Sequence, residues 1–166
     1  KKGNHMAESS TEARHPASQG LHALGGQDLL AILLTAQIGA LEALRPAFPA
    51  LERVAVAAAA SLRAGGKLGY AGAGSSGLMA LADCLELAGT FGIAPERTPM
   101  MFAGGADALL HMTGSVEDDP ALALADLDRA GLAAGDTLLC LSASGRTPYA
   151  LAMAEGVKVH HSSIAA

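Results

Sequence analysis

Tryptophan is absent from this chain, and three phenylalanines and two tyrosines are the only aromatic residues among 166. Alanine, leucine and valine must therefore fill the core, and with 51% of the residues apolar there are enough of them for one domain. Cysteine is nearly as scarce. Cys84 and Cys140 fall on a predicted helix and a predicted strand, where reduced, buried thiols of a cytoplasmic protein are expected rather than a disulfide or a reactive nucleophile. Positive charge is in deficit: 11 Lys and Arg face 16 Asp and Glu, a formal net charge of −5. That balance argues against a nucleic-acid partner or an anionic membrane surface. No unbroken run of about 20 apolar residues exists. The densest, Leu29 to Leu41, is interrupted by Thr35, Gln37 and Gly39 and flanked by Asp28 and Glu42, so no membrane association is expected. No export signal is read. His22 and His111 stand alone, and His160 and His161, adjacent on a strand, would point to opposite faces. No metal site and no cofactor are expected.

The organisation that is present is regular. Lys1–His5 reads as an expression scar preceding a native start at Met6, residues 6–26 as a polar amino-terminal arm, and residues 27–166 as one domain. Leu29, Leu30, Leu33, Leu34, Ile38, Leu41 and Leu44 recur at helical spacing, predicting a helix from Asp28 to Ala47 that Pro46 and Pro49 close. A second helix is predicted from Leu51 to Ala64, stopped by Gly65-Gly66. From there strands and helices alternate. Strands are expected at Lys67–Ala71, Pro99–Ala103 and Thr137–Leu141, with a fourth at Val157–Ile164. Helices are expected at Leu78–Ala88, Ala106–Thr113, Pro120–Ala130 and Pro148–Glu155. Alternation of this kind predicts an α/β fold, a doubly wound parallel sheet with helices on both faces, preceded by two helices.

Two of the strand-to-helix turns carry unusual chemistry. Leu139–Leu141 leads into Ser142-Ala143-Ser144-Gly145-Arg146-Thr147-Pro148. Thr147 suits an N-cap and Pro148 the first helical position, so free backbone N–H groups and the positive end of the helix dipole would face the turn. Ser142, Ser144 and Thr147 add hydroxyl donors, and together these groups would suit a phosphate. The second turn is Gly72-Ala73-Gly74-Ser75-Ser76-Gly77, which satisfies GxGxxG. A dinucleotide site would want a carboxylate closing the next strand, yet Thr98–Ala103 ends in Gly104-Gly105. No GK[ST] tripeptide follows either loop, which excludes a P-loop. An ordinary Ser/Gly-rich turn would read the same on one loop alone. Two such turns at the carboxyl ends of two strands point to one phosphorylated small molecule held by both.

The loops and their surroundings resemble the sugar isomerase (SIS) family of phosphosugar-binding domains, and within it the bacterial N-acetylmuramic acid 6-phosphate etherases. Thr11-Glu12 with Arg14, Pro16 and Ser18 looks like that family's amino-terminal signature. Ala64-Gly65-Gly66-Lys67-Leu68, the first loop, Thr90-Phe91-Gly92, Ala103-Gly104-Gly105, Glu117-Asp118-Asp119-Pro120 and Ala143–Tyr149 then follow in the family's order, over most of the chain. The resemblance implies a three-layer α/β/α domain that forms a homodimer with substrate near the subunit boundary. It implies a phosphosugar held by Gly74, Ser75, Ser76, Ser142, Ser144, Gly145, Arg146 and Thr147. Full-length etherases continue for about as many residues again, so the chain is read as incomplete at its C-terminus.

The etherase reaction removes D-lactate from C3 of an amino sugar phosphate. Ring opening exposes an aldehyde at C1, which acidifies the C2 proton. One base removes that proton, an acid protonates the departing lactyl oxygen, and water then adds to the unsaturated intermediate, so two carboxyl groups suffice without a metal. By the resemblance, Glu117 is the base at C2 and Glu86 the acid for lactate. On their residues alone, Glu86 would read as a solvated helix face three residues after Asp83, and Glu117 as an acidic helix entrance. The chain departs from the family at Leu78, where etherases carry Arg, and at Leu85-Glu86-Leu87-Ala88-Gly89, where they carry Ser-Glu-Cys-Pro-Pro. Without those prolines the helix should run on past Glu86, about 15 Å along from Ser76. Two other readings stay open beside the lyase: a non-catalytic phosphosugar sensor and an aldose–ketose isomerase.

Overall fold

The computed structural model describes residues 13–111 and 114–160. Thr11, Glu12 and the expected scar lie outside them. The chain forms two compact units, one up to Ala55 and one from Val56 onward. In the first, the short 3-10 turn Pro16–Ser18 is capped by His15, whose Nδ1 accepts from the Ala17 N–H at 3.2 Å. Helix α1 spans Gly26–Glu42, and the start of α2, Phe48–Arg63, follows a 3-10 turn at Arg45–Ala47. The first helix closes at Glu42, five residues short of its expected end at Ala47, and Pro46 sits in the 3-10 turn that follows, since its missing N–H cannot continue the helical ladder. Pro49 instead sits in the opening turn of the second, where a missing N–H costs no hydrogen bond.

Leu30, Leu34 and Leu41 of α1 are 67%, 62% and 66% exposed. By length and composition the stretch Gly26–Arg63 could cross a membrane. The Glu42–Arg45 ion pair, Glu52 and Arg53 lie within it.

The second unit is a three-layer α/β/α sandwich. Strands β1 (Leu68–Gly72), β2 (Met100–Phe102) and β3 (Thr137–Leu141) form a parallel sheet in the order β2-β1-β3. Period-2 alternation sends Leu68, Tyr70, Met100, Leu139 and Leu141 to one face, against Ala80 and Cys84 of α3 (Gly74–Phe91) and Ala58 and Leu62 of α2. Ala71, Met101, Leu138 and Cys140 face the other side, against Ala123 and Leu127 of α5 (Pro120–Ala130) and Tyr149, Met153 and Val157 of α6 (Pro148–His160). A short α4 spans Gly105–His111.

Two expectations change. Helix α3 begins at Gly74, four residues before the predicted start, and runs to Phe91. The expected fourth strand is not formed: Val157 to His160 continue α6, and residues 161–164 lie outside the described part. The β-branched residues read as strand, but Tyr149, Met153 and Val157 repeat every fourth residue and are all buried, so tertiary packing overrides propensity. Gly156 belongs to this contact. A Cβ there would stand 2.9 Å from Leu127 Cδ2, so glycine serves the close approach of two helices.

The amino edge of the sheet is tied by polar groups. Asp136, 8% exposed, accepts from the N–H groups of Lys67 and Ala133, each at 2.7 Å. Ser61 Oγ donates to Gly135 O and shares a hydrogen bond with Thr137 Oγ1, both at 2.7 Å. Arg97 binds the carbonyls of Leu62 and Gly66. The Lys67 ammonium caps α5 through Ala130 O and Gly131 O at 2.9 and 2.8 Å. This edge is committed to stability, which leaves the opposite one for ligands.

Candidate functional site

At the carboxyl edge the register pairs Gly72 with Phe102 on one side and with Leu141 on the other. The chain leaves β1 for α3 on one face and leaves β3 for α6 on the opposite face. The two hydroxyl-bearing loops therefore emerge from neighbouring strands and diverge between them, which is where open parallel sheets bind ligands. Adjacent strands lie about 4.8 Å apart, so one small molecule can touch both loops.

The first loop is shaped by tight contacts. A Cβ on Gly77 would come within 2.6 Å of Phe102 Cε2 and 2.9 Å of Gly72 O. Gly74 has φ +53, a left-handed conformation that a side chain rarely adopts. With Ala73 as N-cap and no side-chain cap bond, α3 presents its first N–H groups to this edge. Ser75 is exposed and Ser76 half-buried.

The second loop is laced together by its own hydroxyls. Ser142 Oγ and Thr147 Oγ1 share a hydrogen bond of 2.9 Å, and Ser142 Oγ also accepts from the Gly145 N–H at 3.0 Å. Ser144 Oγ accepts from the Arg146 N–H at 3.1 Å. Thr147 opens α6, its carbonyl accepting from Leu151 N–H at 3.0 Å, as its N-cap position requires. Gly145 and Arg146 are exposed at the tip. The loop is thus preformed, with exposed groups around a fixed turn.

The two glutamates part company. Glu117 lies in a 3-10 turn, Gly114–Asp118, and its Oε2 stands 3.9 Å from the position a Cβ would take on Gly74. A carboxylate therefore sits beside the start of α3, within the loop cluster. Glu86 is exposed on the continuous α3 and accepts from Thr90 Oγ1 at 2.9 Å. Ten residues of helix separate it from Ser76, about 15 Å. Within one chain the two carboxyls do not converge.

Sequence reading missed the part played by both tyrosines. Tyr149, fully buried, donates to Asp126 Oδ2 at 2.6 Å, and Arg129 holds Asp126 Oδ1 at 2.9 Å. Tyr70, 2% exposed, donates to Asp83 Oδ2 at 2.6 Å. Burial first, and the adjacent carboxylate second, push both phenols well above their usual pKa. Asp126 sits between the buried Ala123 and Leu127, and an acidic residue on a core-facing stripe was the available signal. The cysteines are free. Cys84 donates to Thr98 O at 3.2 Å, and burial pushes the Cys140 thiol up to about 11, so both stay protonated packing groups at neutral pH.

Sheet order and layers define a doubly wound parallel α/β domain whose loops gather on one edge. The chain belongs to the SIS domain family, whose model matches residues 39–166. It is 42% identical over 147 residues to the N-acetylmuramic acid 6-phosphate etherase of Burkholderia lata, covering 89% of this chain and 48% of that protein. The etherase of Pectobacterium atrosepticum is 39% identical over 141 residues, covering 85% and 46%. That of Deinococcus radiodurans is 38% identical over 144 residues, covering 87% and 47%. The chain spans about half the length of these curated relatives.

Proposed function

We propose that the chain carries the phosphosugar-binding half of a carbon–oxygen lyase that releases D-lactate from N-acetylmuramic acid 6-phosphate. The observation that carries this reading is the Glu117 carboxylate beside Gly74, on the same edge as the hydroxyl-laced Ser142–Thr147 loop. A phosphate dianion at Gly74 would be repelled by that carboxylate. The phosphate therefore belongs on Ser142, Ser144, Gly145, Arg146 and Thr147. The reacting end of the sugar then lies toward Gly74, Ser75 and Ser76, with Glu117 as base at C2. As C2 loses its proton, charge develops on the C1 oxygen, and the free N–H groups opening α3 suit it. Glu86 acts as the acid for lactate only across a subunit boundary, since α3 carries it away from its own loop. The reading therefore includes a homodimer in the cytoplasm, acting in amino sugar recycling.

The test is proton NMR of the chain with N-acetylmuramic acid 6-phosphate in deuterated water. Lactate release and deuterium entry at C2, both lost in Glu117→Gln, are expected. A second reading, a phosphosugar sensor, is favoured by Leu78 and by the solvent-facing Glu86 bonded to Thr90. Sugar-dependent shifts of protein resonances without C2 exchange would establish the sensor instead.

A further inference from the structure

Tyr149 immediately follows Thr147-Pro148 and occupies the first turn of α6. Its ring is completely buried in the cluster that also holds Ala73, the N-cap of α3 within the first loop, and Ala103, which follows β2. The ring thus lies beneath the carboxyl edge, in the packing shared by the loops above it. Its hydroxyl is bound to Asp126 on α5 at 2.6 Å, and the other Asp126 oxygen is held by Arg129 at 2.9 Å. Asp126 is only 12% exposed, and displacing the bond leaves the fully buried Tyr149 hydroxyl without a partner, which holds the pair in one geometry. The phosphate loop cannot tilt independently of α5 while this bond stands.

We infer that Tyr149 is a positioning residue that, through Asp126, fixes the first turn of α6 so that the Ser142–Thr147 loop is preorganised for the phosphate. This inference rests on the assignment of the phosphate to that loop. Preorganisation acts on binding rather than on proton removal. Tyr70 supplies an internal control, since it is also buried and makes a bond of the same length, 2.6 Å, to Asp83, an exposed carboxylate on the opposite face of the sheet.

The experiment is calorimetric titration of the full chain and of Tyr149→Phe, Asp126→Asn and Tyr70→Phe with N-acetylmuramic acid 6-phosphate. C2 deuterium exchange is measured in parallel at limiting and at saturating sugar. Tyr149→Phe should weaken binding about tenfold, with exchange at saturation unchanged, and Asp126→Asn should act in the same direction and non-additively with it. Tyr70→Phe should lose some thermal stability, by leaving a buried ring without its hydrogen bond, yet bind within about twofold of the parent. Parental affinity in both Tyr149→Phe and Asp126→Asn, or equal weakening by Tyr70→Phe, overturns the inference while leaving the phosphosugar reading intact. Absence of binding by the parent overturns that reading and the inference with it.

Discussion

Gly77 meets the ring of Phe102 and the carbonyl of Gly72 with no space for a methyl group. Gly77→Ala is accordingly expected to cost about 1–3 kcal/mol, read from urea unfolding, and Phe102→Leu in the same chain should restore part of it. Glu117 needs no such fit, only position. Glu117→Gln keeps its size and removes its basicity, so C2 exchange should fall about 10²–10⁴-fold at unchanged stability, measured by deuterium incorporation. Of the candidate site residues, the serines, Gly145 and Thr147 stand out in the sequence because turn chemistry and caps are local. Glu86 and Glu117 were nominated by resemblance alone. Nothing in the periodicity of the chain distinguishes a carboxylate beside Gly74 from one on an open helix face.

Elements were read well where their periods were strong. β3 matches residue for residue, since its apolar run is bounded by the Gly135-Asp136 turn and by Ser142. α3 was underestimated, because the glycines and serines that read as a loop are its first turn. α6 runs past its expected end because its own stripe, Tyr149, Met153 and Val157, packs against α5 and overrides the strand preference of its valines. Two expected outcomes follow at this scale. Asp119 Oδ1 accepts from the Ala121 N–H at 2.8 Å and caps α5, so Asp119→Ala should lower stability by about 1 kcal/mol in chemical denaturation. Cys140 lies on β3 facing α5 and α6, and its thiol is held up to about 11 from an ordinary 9.0. The folded chain keeps this proton where the unfolded chain has released it, so its contribution is complete below pH 9 and is lost as pH rises through about 11. Urea midpoints measured from pH 8 to 11 should fall less steeply in Cys140→Ala than in the parent.

At the scale of the whole molecule, the proposed reading brings Glu86 to the site only from a second copy, and the exposed leucines of α1 would offer that copy an apolar surface. Sedimentation velocity should give a dimer, and Leu34→Asp with Leu41→Asp should give a monomer that has lost lactate release. A monomeric parent that still releases lactate would defeat the shared-site reading.

The sequence by itself determined the class of fold, the order of the loops and the hydroxyls they carry, because strand and helix periods, caps and turns act over a few residues. It also determined that α3 would run past Glu86, since no proline interrupts the helix. Tertiary structure alone decided that Glu117 reaches Gly74, that Val157 packs as helix, and that each tyrosine bonds an aspartate on another element. Those contacts join residues far apart in the chain, and they depend on how helices settle on the sheet, which no local pattern encodes.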